Sequence, residues 1–420
     1  MLGVAGATSL FDCSGAPIDT PDQGGDQDWP SAQAYVWPMT VSDTLTLYAS
    51  STAPWFFVEV YSISATTPIA VLGPFEGVAV ARGAFDAAWE WPRYDIPLDL
   101  PSGLYVGVMR RCDDSHAIAD APPSLASANG EMKVLFIVRR NPTSSILYKL
   151  PLFTYQAYNE TGGGSLYAVW DRVRVSLRRP GGGTGHTKVD GRTWQLFADE
   201  LTDPFGCPGD LQWNTFEHWD AKMIRWLLAR GYDLDYCTDW DLHTIPDLVA
   251  PYRLLVSVGH DEYWSAEMRD QVESFIGNGG NVAWFAGNTA FWRVEVDVEQ
   301  AVLKCDKTNN YVDHWNLQGR PENYMTGMSM HAGGYTSQDR APLGFTVVAP
   351  ESWPFTGVGE STFGQAGAIV GYEVDGAPVD ASLQLTYADD TPPNFHVLAQ
   401  AVLPTGNPSP DGWYTTPPPQ

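Results

Sequence analysis

Between residues 254 and 264 an apolar run, LLVSVG, opens into His260, Asp261, Glu262, Tyr263 and Trp264. A histidine beside carboxylates can act as a general base, held in one tautomer by an acidic neighbour. A tyrosine is a poor acid near neutrality unless a hard cation or a positive environment draws off its proton. His260 and Glu262 are therefore the acid–base candidates and Tyr263 the candidate metal contact. Trp264 and Asp261 suit a structural part, fixing the turn, although a metal-free hydrolase would use His260, Asp261 and Glu262 together. A second cluster, DWDLH, alternates Asp239, Asp241 and His243. In an extended backbone these would share one face, as metal ligands could; the competing reading is an aspartate N-cap and a surface turn. With no HExxH and no CxxC, zinc is the weaker candidate.

The surrounding elements must bring such residues together. Strands are expected at the start of LYKLPLFTYQAYN (147–159), which then leaves into a polar, aromatic loop, at YDLDYCTD, at RLLVSVG (253–259) and at NVAWFAG (281–287). A helix is expected over 265–277, with Ser265 as N-cap, Glu267 in its first turn and Met268, Val272, Phe275 and Ile276 as its buried stripe. Another is expected over 218–230, with Trp219, Met223, Trp226, Leu227 and Arg230 at helical spacing and Gly231 as its stop. Strand–helix–strand alternation implies a parallel sheet with right-handed crossovers. Ligands bind beyond the carboxyl ends of such strands. Four segments end there: the loop Thr154 to Asn159, the stretch Tyr236 to His243, His260 to Trp264, and Gly287-Asn288-Thr289. Tyr155, Tyr158, Asn159, Trp264 and Trp292 are the expected substrate-binding residues. Asn288, with nearby backbone amides, is the expected oxyanion stabiliser. The Gly-rich stretch 181–187 fits no phosphate-binding pattern and reads as a flexible loop.

Before this unit, residues 1–140 alternate apolar and polar in short aromatic-rich runs, the pattern of an antiparallel β-sandwich. The α/β unit spans 141–405 with a β-rich extension, and 406–420 is a Pro-rich tail. The chain of 420 residues carries a net charge of -26, which argues against nucleic acid and anionic membranes as partners. No apolar run reaches the length that spans a bilayer. No secretory signal is recognised, and five scattered cysteines read as reduced thiols, which favours the cytoplasm.

The α/β architecture resembles the class I glutamine amidotransferase fold, where a strand runs into a sharp turn presenting a nucleophilic cysteine. Laid on GGNVAWFAGN, that turn falls at Ala286 or Gly287, and none of the cysteines is there. A thiol mechanism is excluded, so activated water must replace the nucleophile. FTYQAYNETGGGSLY, IRWLLARGYDLDYCTDWDLH, LLVSVGHDEYWSAEMRD, AGNTAFWR and GYEVDG, in that order, resemble the C-terminal region of the N,N-dimethylformamidase large (beta) subunit family over about 140–400. The resemblance implies a β-sandwich fused to an amidotransferase-like domain. It further implies hydrolysis of small N-alkyl amides at a mononuclear iron held by two tyrosines and a glutamate. Tyr263 matches one such tyrosine. The helix entry at 216–220 offers Phe216 and no tyrosine, leaving Tyr236 as substitute for the second. The glutamate is open: 327–337 holds His331 and no glutamate, and Glu373 in GYEVDG is an alternative. Expected partners are a small-molecule substrate and either another copy of the chain or a small accessory subunit. The alternative function is a non-catalytic protein binding a carbohydrate or peptide in an aromatic cleft.

Overall fold

The computed structural model describes residues 32–116, 133–166, 173–183, 216, 219–307, 313–335, 344–364, 373–380, 385–386 and 391–401. The entry segment, most of the 181–187 loop and the Pro-rich tail lie outside them.

Two sheets form the first part of the chain. One pairs β1 (Ala32–Val36), β3 (Thr44–Ser51) and β6 (Arg93–Pro97). The other runs β2 (Thr40–Val41), β8 (Lys133–Val138), β7 (Gly103–Cys112), β4 (Trp55–Ser62) and β5 (Ala70–Glu76) in that spatial order. Every pairing is antiparallel except that of the two-residue β2 with β8. Alternate residues of both sheets, including Leu45, Leu47, Phe56, Val58, Val60 and Phe136, meet in one core, as the period of a pleated strand requires.

The second part is built on a parallel sheet of β9 (Ile146–Leu150), β11 (Asp235–Thr238), β12 (Leu254–His260) and β14 (Asn281–Gly287), ordered β11-β9-β12-β14. Leu147 and Leu255 face one side, towards Met268, Val272 and Phe275 of the helix Ala266–Gly277. Tyr148 and Val256 face the other, where Ala221 and Ile224 of the helix Asp220–Ala229 meet Val106, Val108, Leu135 and Ile137 of the five-stranded sheet. Burial on both faces explains why β9 and β12 read as apolar runs, whereas β14, at the edge of the sheet, leaves Phe285 exposed.

Local departures from expectation have local causes. After Pro151 the chain does not loop but forms α1 (Leu152–Tyr158). DWDLH is not extended: Thr238 and Asp241 form a capping box that starts α3 (Asp239–Thr244). Asp239, Asp241 and His243 therefore do not share a strand face. On the helix Asp220–Ala229 the buried stripe is Asp220, Ala221 and Ile224, and Trp226 is exposed. Ile276 is likewise on the outer side of its helix. Among the described residues no helix is long and apolar enough to cross a membrane.

Gly259 carries φ +81, and a Cβ built there would lie 2.3 Å from Cγ of Trp219. Gly259→Ala is thus expected to destabilise by about 2–5 kcal/mol, the left-handed backbone and the steric overlap adding. The shift of the urea unfolding midpoint measures it, and an unchanged midpoint would show that Trp219 gives way freely.

Candidate functional site

The carboxyl ends of β12 and β14 lie side by side, His260 in register with Gly287. Beyond them the chain supplies Glu262 and Asn288, while α1 delivers Tyr158 from the end of β9. A strand from the C-terminal extension, Glu373–Gly376, closes against the same edge: a Cβ on Gly287 would lie 2.5 Å from the Glu373 carbonyl oxygen.

Three donor atoms converge. The Tyr158 hydroxyl donates to Glu262 Oε2 at 2.8 Å and stands 2.9 Å from His260 Nε2. His260 Nε2 is 3.2 Å from the same Glu262 oxygen. His260 Nδ1 lies 3.2 Å from Glu373 Oε2, so each ring nitrogen meets a carboxylate and Nε2 faces the phenol as well. Glu262 Oε1 accepts from Trp292 Nε1 at 2.8 Å and from Asn288 Nδ2 at 3.2 Å. Asn288, at φ +54, is held by its backbone N–H donating to Asp375 at 2.8 Å, and Thr289 N–H donates to the same carboxylate at 3.0 Å. The Asn288 Oδ1 is buried with no hydrogen-bond partner among the described residues.

The electrostatics pair opposed groups. Burial alone would lower the pKa of His260, but Glu373 and Glu262 outweigh it and hold the imidazole up at about 9. Burial raises Glu373 to about 7 against the pull of His260. Burial also raises Asp375, to about 6, with the two backbone amides opposing it. For Glu262 burial would raise the pKa, and His260 with Lys307 and Tyr158 brings it net below the ordinary carboxylate value. Two neighbouring carboxyls, Glu262 and Glu373, are thus displaced in opposite directions.

Other expected site residues lie elsewhere. Asp261 points back into the sheet, bound to Lys149 at 2.8 Å and to Trp264 Nε1 at 2.9 Å. Trp264 is fully buried and supports the turn instead of lining a cleft. Tyr155 donates its hydroxyl to Asp220 in the core behind α1. Asn159 ties its side chain to Gln156 and Pro180. Tyr236 packs against Tyr148 in the core on the far face of the sheet. Tyr263 is beside the cluster, its ring centroid 6.2 Å from that of Tyr158, and its hydroxyl accepts from Lys307. His331 stacks near Phe291 and His314. Glu373 enters the cluster through His260. Lys307 and Asp375 were not anticipated; the acidic GYEVDG motif was the available signal for Asp375.

The residues from 66 to 415 match the family described as N,N-dimethylformamidase beta subunit-like, C-terminal. The chain belongs to that family. Within the N,N-dimethylformamidase beta subunit-like family it is 25% identical over 322 residues to the N,N-dimethylformamidase beta subunit of Paracoccus aminophilus, and 24% identical over 317 residues to that of Alcaligenes sp. Each alignment covers 70% of this chain and 36% of the relative, so the chain spans about a third of their length. The family match reaches back to residue 66, into the strands of the first part, which fit the family less distinctively than the motifs from 153 onward.

Proposed function

We propose that the chain hydrolyses the C–N bond of a small amide at the Tyr158–His260–Glu262 cluster, on an amidotransferase-like sheet. The mutual approach of the three donor atoms, 2.8, 2.9 and 3.2 Å apart, carries the reading. These separations suit atoms that share a cation at about 2.0–2.2 Å. Among the described residues no three His, Cys, Asp or Glu side chains are spaced for a metal, so a cation here depends on the Tyr158 phenol. A phenol and a carboxylate, with an imidazole nitrogen beside them, suit iron. The buried, unmatched Asn288 Oδ1 fits a site that takes a further hydrogen-bond donor. Tyr158 and Glu262, with His260 as third donor, would hold the ion; Tyr263, engaged by Lys307, and the distant Tyr236 would not.

Iron bound there would supply Lewis acidity to an amide carbonyl and acidify a water. The chain's own residues do the rest. Glu373 orients His260 through Nδ1, aiming Nε2 at the ion. Asn288, fixed by Asp375, presents its amide group beside Glu262, where it can position the substrate amide. Trp292 holds the second Glu262 oxygen and walls the site.

The test is direct. Chain loaded with iron is expected to bind it stoichiometrically, show a visible phenolate charge-transfer band, and release amine from N-alkyl formamides. Tyr158→Phe should lose the band and cut the turnover by about a thousandfold, to a residual rate that can still be measured. Iron-loaded chain without the band and without turnover would overturn the proposal.

A further inference from the structure

Arg179 is almost wholly buried, in the segment that follows the short strand Arg174–Ser176. Among the described residues it makes four hydrogen bonds, all to main-chain carbonyls. Nε donates to Ser176 at 2.9 Å, Nη2 to Gln156 at 2.8 Å, and Nη1 to Asn159 and Thr161, each at 2.7 Å. Three of these acceptors bracket Tyr158 on both sides. α1 has seven residues and no basic residue in its last turn, so its final carbonyls need donors from elsewhere. A planar guanidinium is the side chain whose rigid fork can span several carbonyls at once. The arrangement is costly, since burial draws the Arg179 pKa down to about 9 with no opposing charge among the described residues. The neighbourhood interlocks further. Asn159 Nδ2 donates to Pro180 O at 2.7 Å, and a Cβ on Gly182 would approach Gln156 Nε2 to 2.2 Å. Tyr158, which projects from this clamped turn, is itself only partly buried.

We propose that Arg179 is a positioning residue of the site: its fork clamps the turn 156–161 and so holds the Tyr158 hydroxyl against Glu262 and His260. The inference rests on Tyr158 being a functional donor, and its experiment separates the two. Hydrogen exchange by mass spectrometry on the full chain compares Arg179→Lys with Arg269→Lys. Arg269 is equally buried but binds Glu273 and the carbonyls of Arg320 and Pro321, away from Tyr158. Arg179→Lys is expected to speed exchange of the Asn159, Gly163 and Leu166 amides by about tenfold or more, as loss of one charged hydrogen bond implies. The amides of β12 and β14 should keep their protection, and Arg269→Lys should leave the 156–166 segment unchanged. In a formamide assay Arg179→Lys is expected to cost about a hundredfold on the parent chain, yet no more than about twofold on Tyr158→Phe. Unchanged exchange at 156–166, additive losses in the assay, or exchange rising equally across the whole sheet would each overturn the proposal. The last would make Arg179 a general core residue. A parent chain without turnover would sink the hydrolase reading and leave exchange to decide the role of Arg179.

Discussion

Changing Glu262 to glutamine is expected to cut formamide turnover by about three orders of magnitude, within the range that loss of a positioned acid–base group produces. The fold should survive. One Glu262 oxygen accepts from Trp292 Nε1 and Asn288 Nδ2, and the glutamine carbonyl oxygen can keep both bonds. The other oxygen would become an N–H group facing the Tyr158 hydroxyl and His260 Nε2, where an acceptor and a negative charge now stand. The substitution therefore removes a cation donor and half of the acidic surroundings of His260 while barely changing volume. Steady-state amine release, read beside the thermal melting curve and the bound iron, measures it. A Glu262→Gln chain with unchanged iron and turnover within about threefold of the parent would take Glu262 out of the chemistry.

Lys149→Met is expected to cost about 3–5 kcal/mol of stability, because it strands two buried carboxylates. Lys149, Asp239 and Asp261 are all without exposed surface, and the ammonium lies 2.6 Å from Asp239 and 2.8 Å from Asp261. Its charge also lies 4.7 Å from the centroid of the Trp264 ring. Burial raises Asp239 to about 7 even against the pull of Lys149, so without the lysine its ionised form becomes untenable there. Since Asp261 fixes the turn between His260 and Glu262, the loss should reach the site as well. Urea unfolding of the parent and variant gives the difference. Adding Asp239→Asn and Asp261→Asn to Lys149→Met should recover a large part of it, since the penalty is uncompensated charge. A loss below about 1 kcal/mol would show that the carboxylates find other partners or take up protons freely.

Much of the scaffold was legible because its signals are local. The apolar run ending at His260, the cap at Ser265 and the stop at Gly231 each depend on a few neighbouring residues, and the structure shows the corresponding elements. Two readings stayed open where a short motif admits two backbones. DWDLH alternates like a strand, yet Thr238 placed before Asp241 starts a helix, and the three acidic and basic side chains turn to different partners. Asp239 goes to Lys149, Asp241 to Thr238 and Arg139, and His243 to Ser265. Similarly, Tyr155 and Tyr158 looked equivalent in a loop. In α1 the first reaches back to Asp220 and only the last residue reaches the sheet edge.

By itself the sequence determined the strand ends that carry His260, Glu262 and Asn288, the exclusion of a thiol nucleophile in the WFAGN turn, and the family likeness. Tertiary structure alone decided which of these residues meet. It brought Glu373 and Asp375 from the C-terminal extension to His260 and Asn288, turned Asp261 towards Lys149, and chose Tyr158 over Tyr236 as the phenol beside Glu262. The physical reason is that periodicity, caps and turns are set by contacts a few residues apart, whereas hydrogen-bond partnership in a buried site is set by packing between distant segments. For Lys149 and Asp261 that separation is 112 residues, and no local pattern encodes it.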